Sequence, residues 1–111
     1  MKLNTDALLK SMLNAAAGQL KKKGATAKAY AKNEFRKILE EAVHLGELKA
    51  AGKISEDEAK FLMDLQRNAA RSVMLTVEGL GILAVEAAIN AALAAVRDSV
   101  NTAIGSGWKI L

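Results

Sequence analysis

The sequence predicts an all-α protein, and three observations lead to that prediction. The 111 residues include no proline, the chain is rich in alanine, which has the highest helix propensity, and apolar residues recur at intervals of three and four. Only 4% of the residues are aromatic, so we expect helices that approach closely around small side chains. We predict a long antiparallel helical hairpin with an additional N-terminal helix. Residues 1–104 would form one helical domain, and residues 105–111 a short C-terminal tail with a tryptophan anchor.

The first helix is predicted to begin at Asn4 or Thr5, either of which can cap free backbone N–H groups. Its apolar face is formed by residues at helical spacing: Leu9, Met12, Leu13, Ala16 and Leu20. Three lysines at 21–23 lie at the negative end of the helix dipole, and Gly24 can take the left-handed conformation that ends a helix. We therefore place the end of this helix at 21–24.

The second helix is predicted over residues 26–51. Its apolar residues step by four and three, which makes a seam for a neighbouring helix: Ala31, Phe35, Ile38, Ala42 and Leu45. Gly52 ends the helix. Ser55 and Glu58 then match a capping box, with Ile54 before the cap as in a hydrophobic staple. The chain is therefore expected to turn tightly at 51–55.

The third helix is predicted over residues 56–103. It becomes almost wholly apolar between Val73 and Val96, and contains Gly79 and Gly81. The glycines are not accompanied by polar turn residues, so we favour a third helix that passes through them, with or without a kink. The chain then has three helices, and the third is about 72 Å long. If the helix breaks at Gly79 and Gly81 instead, the chain is a four-helix bundle.

A continuous third helix would leave more apolar surface than the first helix can cover, and self-association would bury it. The sequence thus predicts a non-enzymatic structural subunit of a helical homo-oligomer, with the chain itself as partner. The predicted interface comprises Val73, Val77, Gly79, Leu80, Gly81, Leu83, Ala84, Ala87, Ala88, Ala91 and Ala95. The two glycines would allow close helix contact.

The tail after Gly105 contains the only tryptophan of the chain. Trp108, Ile110 and Leu111 form a short amphipathic anchor that is predicted to dock on a neighbouring subunit. The alternative is that the tail folds back over its own bundle.

Membrane insertion is an alternative explanation of the apolar stretch. Val73–Val96 is long enough to span a bilayer, and its small residues suit packing in lipid. Glu78 and Glu86 oppose insertion, because carboxylates at mid-span are costly unless they are paired or protonated. A pore-forming or lysis protein would follow from this interpretation.

Binding of anions is the second alternative, because the net charge is +4 and basic residues are concentrated in the N-terminal half. The candidate contacts to an anionic membrane surface or to nucleic acid are Lys21, Lys22, Lys23, Lys28 and Lys32. Aromatic residues do not accompany them, since Tyr30 stands alone, so no sequence specificity is predicted.

Catalytic and cofactor chemistry find no support in the residues. Glu41 and His44 have the spacing of a di-iron ligand pair but lie off the predicted seam. The chain has no cysteine and one histidine, which leaves no candidate nucleophile with its base. We expect no enzyme activity, metal, cofactor or small-molecule substrate. The first residues do not resemble a signal peptide, so a cytoplasmic location is expected.

Overall fold

The protein is all-helical in the ranges that its computed structural model describes, which are residues 3–20, 24–105 and 107–111. Helix α1 spans Thr5–Leu20, α2 spans Gly24–Ala50, α3 spans Glu56–Met74 and α4 spans Ile82–Ile104. Within these ranges every regular element is a helix. The prediction of an all-α chain is therefore confirmed, and the described ranges contain four helices, the number given by the alternative prediction.

The core is built from the two apolar faces that helical spacing predicted. In α2 all five seam residues are buried, and Phe35, the largest of them, is fully inaccessible. In α1 four of the five predicted residues are buried, and Leu13 is half-buried. Eight alanines lie among larger Leu, Ile, Met, Val and Phe side chains in the buried cluster. The alanines let the helix backbones approach closely, and the larger side chains fill the space between the helices.

The predicted starts of the first and third helices are found. The second helix begins at Gly24 rather than at residue 26, and residues 21–23, where the end of the first helix was predicted, lie outside the described residues. Asn4 caps α1, because its Oδ1 accepts a hydrogen bond of 3.1 Å from the Ala7 N–H. At the start of α3 the Ser55 Oγ accepts from the Glu58 N–H and the Glu58 carboxylate accepts from the Ser55 N–H, each at 3.2 Å. This is the reciprocal capping box that satisfies two otherwise unpaired backbone donors. The turn between α2 and α3 is therefore fixed by local sequence.

The continuous third helix predicted over residues 56–103 is wrong. The chain leaves α3 at Met74 and begins α4 at Ile82. The Arg71 Nε lies 3.3 Å from the Glu86 Oε1, although these residues would be about 22 Å apart along a continuous helix. The described chain measures 43 Å in its longest dimension, so the long helix has folded back.

The connection at 75–81 folds without polar turn residues because it is packed against the bundle. The backbone tightens after α3 through hydrogen bonds from the Thr76 N–H to the Val73 carbonyl and from the Val77 N–H to the Met74 carbonyl. Val77 and Leu80 are buried. Gly79 has a φ of 85°, which a residue with a side chain rarely adopts. The turn is thus stabilised by apolar burial and one left-handed glycine.

The four helices do not pack equally. The most extensive contact is between α1 and α4, followed by α2 with α3 and then α1 with α2, while α3 and α4 touch least. Lys49 near the end of α2 reaches Ile104 at the end of α4, so these two helix ends lie together. The weak contact between α3 and α4 leaves a groove, and α3 keeps one face in solvent.

Candidate self-association site

Helix α3 presents an exposed apolar face. Phe61 and Leu65 are 61% and 50% exposed, and their spacing of four places them on the same side of the helix. Asn68 and Ser72 continue this face and are also exposed. The buried residues Ala59, Met63, Ala70 and Met74 occupy the opposite side. We call Phe61, Leu65, Asn68 and Ser72 the outer face of α3.

The charges of α3 are divided along its length. Its first turn is acidic, with Glu56, Asp57 and Glu58, and its last turn contains Arg71. One flank of the outer face is charged and carries, in order, Asp57, Lys60, Asp64, Arg67 and Arg71, so that it starts acidic and ends basic. Such a flank can pair with an antiparallel copy of itself, because acidic positions then face basic ones.

The interface predicted in residues 73–104 is partly used inside the chain. Val77, Leu80 and Ala88 are buried, and Val73, Ala84, Ala87 and Ala91 are half-buried. The exposed members are Gly79, Gly81, Leu83 and Ala95. Leu83 is 80% exposed, and Leu75 and Ile82 on the same α3–α4 turn are also in solvent. The part of the predicted interface that stays exposed to solvent is therefore mainly at the α3–α4 turn, at one end of the bundle.

Gly81 does not mark a close helix contact within the single chain. It forms the N-cap of α4, and a Cβ atom added there would meet no other atom within 4 Å. Close packing through Gly81 therefore stays a prediction about contacts between chains.

The tail lies in the groove between α3 and α4 of its own chain. Ile110 is 5% exposed, and the cavity beside it, of about 190 Å³, is lined by Ile38, Met63 and Leu93. The Asn101 Oδ1 accepts hydrogen bonds from the N–H groups of Ile110 and Leu111, at 3.1 and 3.2 Å. Within the single chain the tail thus folds back over its bundle.

Lys49 and Trp108 hold the base of the tail. The Lys49 Nζ donates a 2.6 Å hydrogen bond to the Ile104 carbonyl at the end of α4, where a cation is favoured by the helix dipole. The same ammonium lies 5.1 Å from the centre of the Trp108 ring, within the range of a cation–π interaction. Trp108 is half-buried. Its contact with the Lys49 ammonium holds the tail at the point where it leaves α4.

Glu56 links the tail to the start of α3. Its Oε2 accepts a 3.3 Å hydrogen bond from the Lys109 N–H and lies 3.3 Å from the Lys60 Nζ. The backbone hydrogen bond from Lys109, followed by the hydrogen bond and charge of Lys60, lowers the pKa of Glu56 below its ordinary value of 4.5.

Acidification is expected to weaken the hold of Glu56 on the tail. Because its pKa is lowered in the folded chain, the stabilising contribution is complete above pH 4.5 and disappears as the pH falls through the lowered pKa. Trp108 fluorescence reports this change, since it is the only tryptophan. The Glu56→Gln variant should lack the corresponding step in an acid titration. An identical titration of both proteins would contradict this role of Glu56.

The predicted anion contacts divide into two groups. Lys21, Lys22 and Lys23 lie outside the described residues. Lys28 and Lys32 are exposed on α2 and line a cavity of about 260 Å³ between α1 and α2, together with Leu13 and Leu20. Tyr30 is nearly on the opposite side of α2, so it does not provide a stacking surface beside these lysines.

Neither a metal-binding cluster nor a membrane-spanning helix occurs in the part of the chain that the structure describes. Among the described residues, no group of three or more His, Asp or Glu side chains is placed to hold a metal ion. Glu41 is half-buried and His44 is exposed. None of the helices in the described ranges is both long and apolar enough to cross a bilayer. The apolar stretch from Val73 to Val96 is divided between two helices.

The outer face of α3 and the tail contacts were missed by the sequence analysis. A signal for the outer face was present, because Phe61 and Leu65 share a helix with buried residues on the opposite side. A surface helix needs only one apolar side to pack against its own bundle. A second apolar side indicates a contact with something outside the bundle. The role of Asn101 had no local signal, since its partners are nine and ten residues away.

Comparisons with known proteins do not assign a family. No protein-family model, curated protein or solved structure matches this chain. Its function is therefore inferred from the surface of the bundle.

Proposed function

We propose that this chain is a non-enzymatic structural subunit that assembles with copies of itself. The observation that carries the proposal is the exposure of Phe61 and Leu65 on the outer face of α3. Large apolar side chains grouped on one helix face commonly mark an interface. The occupant is a second copy of this chain, because the charges beside the face complement themselves in one arrangement only.

That arrangement is an antiparallel pair of α3 helices related by a two-fold axis. When Phe61 of one copy packs on Leu65 of the other, Asp64 faces Lys60 across the contact and Asp57 faces Arg71. In a parallel pair this charged flank would instead face the other flank of the partner helix, where Leu62 and Ala69 offer it no opposite charges. The helix dipoles also favour the antiparallel direction. Charge therefore selects both the partner and its orientation.

The rest of the exposed apolar surface fits the same contact. In this arrangement the α3–α4 turn of one copy lies beside the α2–α3 turn of the other, so Leu75 contributes to the interface from its edge. The predicted interface residue Leu83 lies on the same end of the bundle. The antiparallel α2–α3 pair predicted from the sequence would be the element that presents this surface. We infer an assembly whose smallest unit is a dimer.

Disulfide cross-linking tests the proposed orientation, because the chain has no cysteine of its own. Asp57 and Asn68 are exposed and face each other across the antiparallel pair. The Asp57→Cys and Asn68→Cys variants, made in copies of different size, are expected to form a mixed disulfide dimer on oxidation. Each variant alone should cross-link poorly, because its two cysteines would lie roughly 15 to 18 Å apart along the helices.

The opposite pattern would contradict the proposal. If each variant cross-links with itself and the mixed dimer does not form, the α3 helices are parallel. If no variant cross-links above the level of an exposed cysteine on α1, introduced as Lys10→Cys, the outer face of α3 is not an interface between copies.

A further inference from the structure

We propose that the tail is exchanged between copies, so that Ile110 and Leu111 of one chain occupy the groove between α3 and α4 of another, and Trp108 lies beside Lys49 of that other chain. This second contact goes beyond the α3 pairing and does not require it. The side of α3 that faces the tail is centred on Met63 and Arg67, and it shares Lys60 and Asp64 at its edge with the charged flank of the outer face. Its centre lies about a third of a turn from the outer face.

The contacts that hold the tail are specific but few. One side chain, Ile110, is buried. The Asn101 amide bonds the backbone of Ile110 and Leu111, and the Glu56 carboxylate accepts from Lys109. All of these contacts are made to parts of the chain that a second copy presents identically. Exchange therefore keeps the contacts and changes only which chain supplies the tail.

The connection to α4 permits this change. Gly105 and Gly107 have φ values of 82° and 73°, and glycine also adopts extended conformations without steric cost. A Cβ atom at Gly105 would lie 3.4 Å from the Lys49 Nζ, which is ordinary contact, so it is the positive φ that favours glycine at this position. Three residues separate Ile104 from Trp108, and they reach about 10 Å when extended. Because this connection is short, exchange of the tail requires the C-terminal ends of α4 in the two copies to lie close together.

The groove can receive a tail from outside. Helices α3 and α4 have the least mutual contact of the neighbouring pairs. A cavity of about 190 Å³ remains beside the seated tail. Further along, Arg67 lines a second cavity of about 320 Å³ with Arg71 and Glu86. The groove is therefore open along its length, and the tail does not have to pass through a closed core to leave it.

A double cysteine variant distinguishes the two positions of the tail. In Glu56→Cys/Lys109→Cys the two cysteines replace residues that contact each other. Oxidation gives a closed ring within one chain when the tail is folded back, and a covalent dimer when it is exchanged. The variant is refolded at low and high protein concentration, oxidised, and separated on a non-reducing gel. We expect closed monomers at low concentration and covalent dimers at high concentration.

Two further variants make the result specific. Adding Ile110→Asp should cause loss of the covalent dimer, because a carboxylate would enter the apolar part of the groove. Pairing Glu56→Cys in one chain with Lys10→Cys in another gives the background of random collisions. Closed monomers at every concentration, or covalent dimers that persist with Ile110→Asp, would overturn tail exchange.

The experiment is repeated with Phe61→Lys/Leu65→Lys added, so that pairing through α3 is removed. Covalent dimers that survive this change support tail exchange as a contact of its own. Their disappearance would overturn its independence from α3 pairing. Conversely, a wild-type dimer whose tail stays in its own chain would leave the proposed function intact and contradict exchange alone.

Discussion

The Phe61→Lys/Leu65→Lys variant is expected to be monomeric at concentrations where the wild-type protein is dimeric. In the proposed contact, Phe61 and Leu65 of both copies meet at the centre. Four lysines in that position would replace apolar contact with like-charge repulsion and desolvated cations. The folded chain should be little affected, because both side chains are exposed. Light scattering measures the mass, and circular dichroism checks that the helices remain.

A matched control separates the loss of the contact from the added charge. Ala29 and Asn33 are exposed on α2 with the same spacing of four, so Ala29→Lys/Asn33→Lys adds the same charge away from α3. This control is expected to dimerise like the wild type. If both double variants are monomeric, general charge repulsion explains the effect. If the α3 variant keeps the dimer mass even when Ile110→Asp is added to prevent tail exchange, the outer face of α3 is not the interface.

The Phe35→Ala variant is expected to lower the free energy of unfolding by about 3 to 5 kcal/mol. Phe35 is fully inaccessible in the α2 seam, and truncation would leave a cavity that the surrounding helices cannot fill. Natural domains are stable by only about 5 to 15 kcal/mol, so this change removes a large part of the total. Urea unfolding, followed by circular dichroism, gives the difference between variant and wild type.

The other phenylalanine provides the control, since the chain has two. Phe61→Ala truncates the same side chain at an exposed position. At a concentration where the protein is monomeric, its effect should be within about 0.5 kcal/mol, as for ordinary surface substitutions. Equal losses for Phe35→Ala and Phe61→Ala would contradict the assignment of α2 to the core and of the outer face to solvent.

The features that the sequence predicted correctly are local. The seam of α2 follows from spacing alone, and its members from Ala31 to Leu45 are all buried. The capping box at Ser55 and Glu58 depends on residues three apart. Such signals require no knowledge of what the helix packs against.

The break between α3 and α4 was misjudged because its turn is apolar. Turn prediction relies on polar residues that are solvated, whereas Val77 and Leu80 are buried under the bundle. Burial depends on the positions of the other helices, which a local pattern does not contain. The prediction of a long projecting helix, and of an extensive interface along it, followed from that one judgement.

The position of the tail depends on contacts between residues that are distant in the sequence. Lys49 and Ile104 are 55 residues apart, and Glu56 and Lys109 are 53 apart. The tail's residues were identified from their composition, but its groove becomes visible only when α3 and α4 are placed side by side. The outer face of α3 could have been found from helix phase, because Phe61 and Leu65 lie opposite Met63 and Ala70.

Self-association, the central claim, is tested most directly by the mass of the wild-type protein in solution. Light scattering over a wide range of protein concentrations, without detergent, gives this mass directly. We predict the mass of one chain at the lowest concentrations and a rise to the mass of at least two chains as the concentration increases. A mass of one chain at every concentration would contradict the proposal that this protein is a self-assembling subunit.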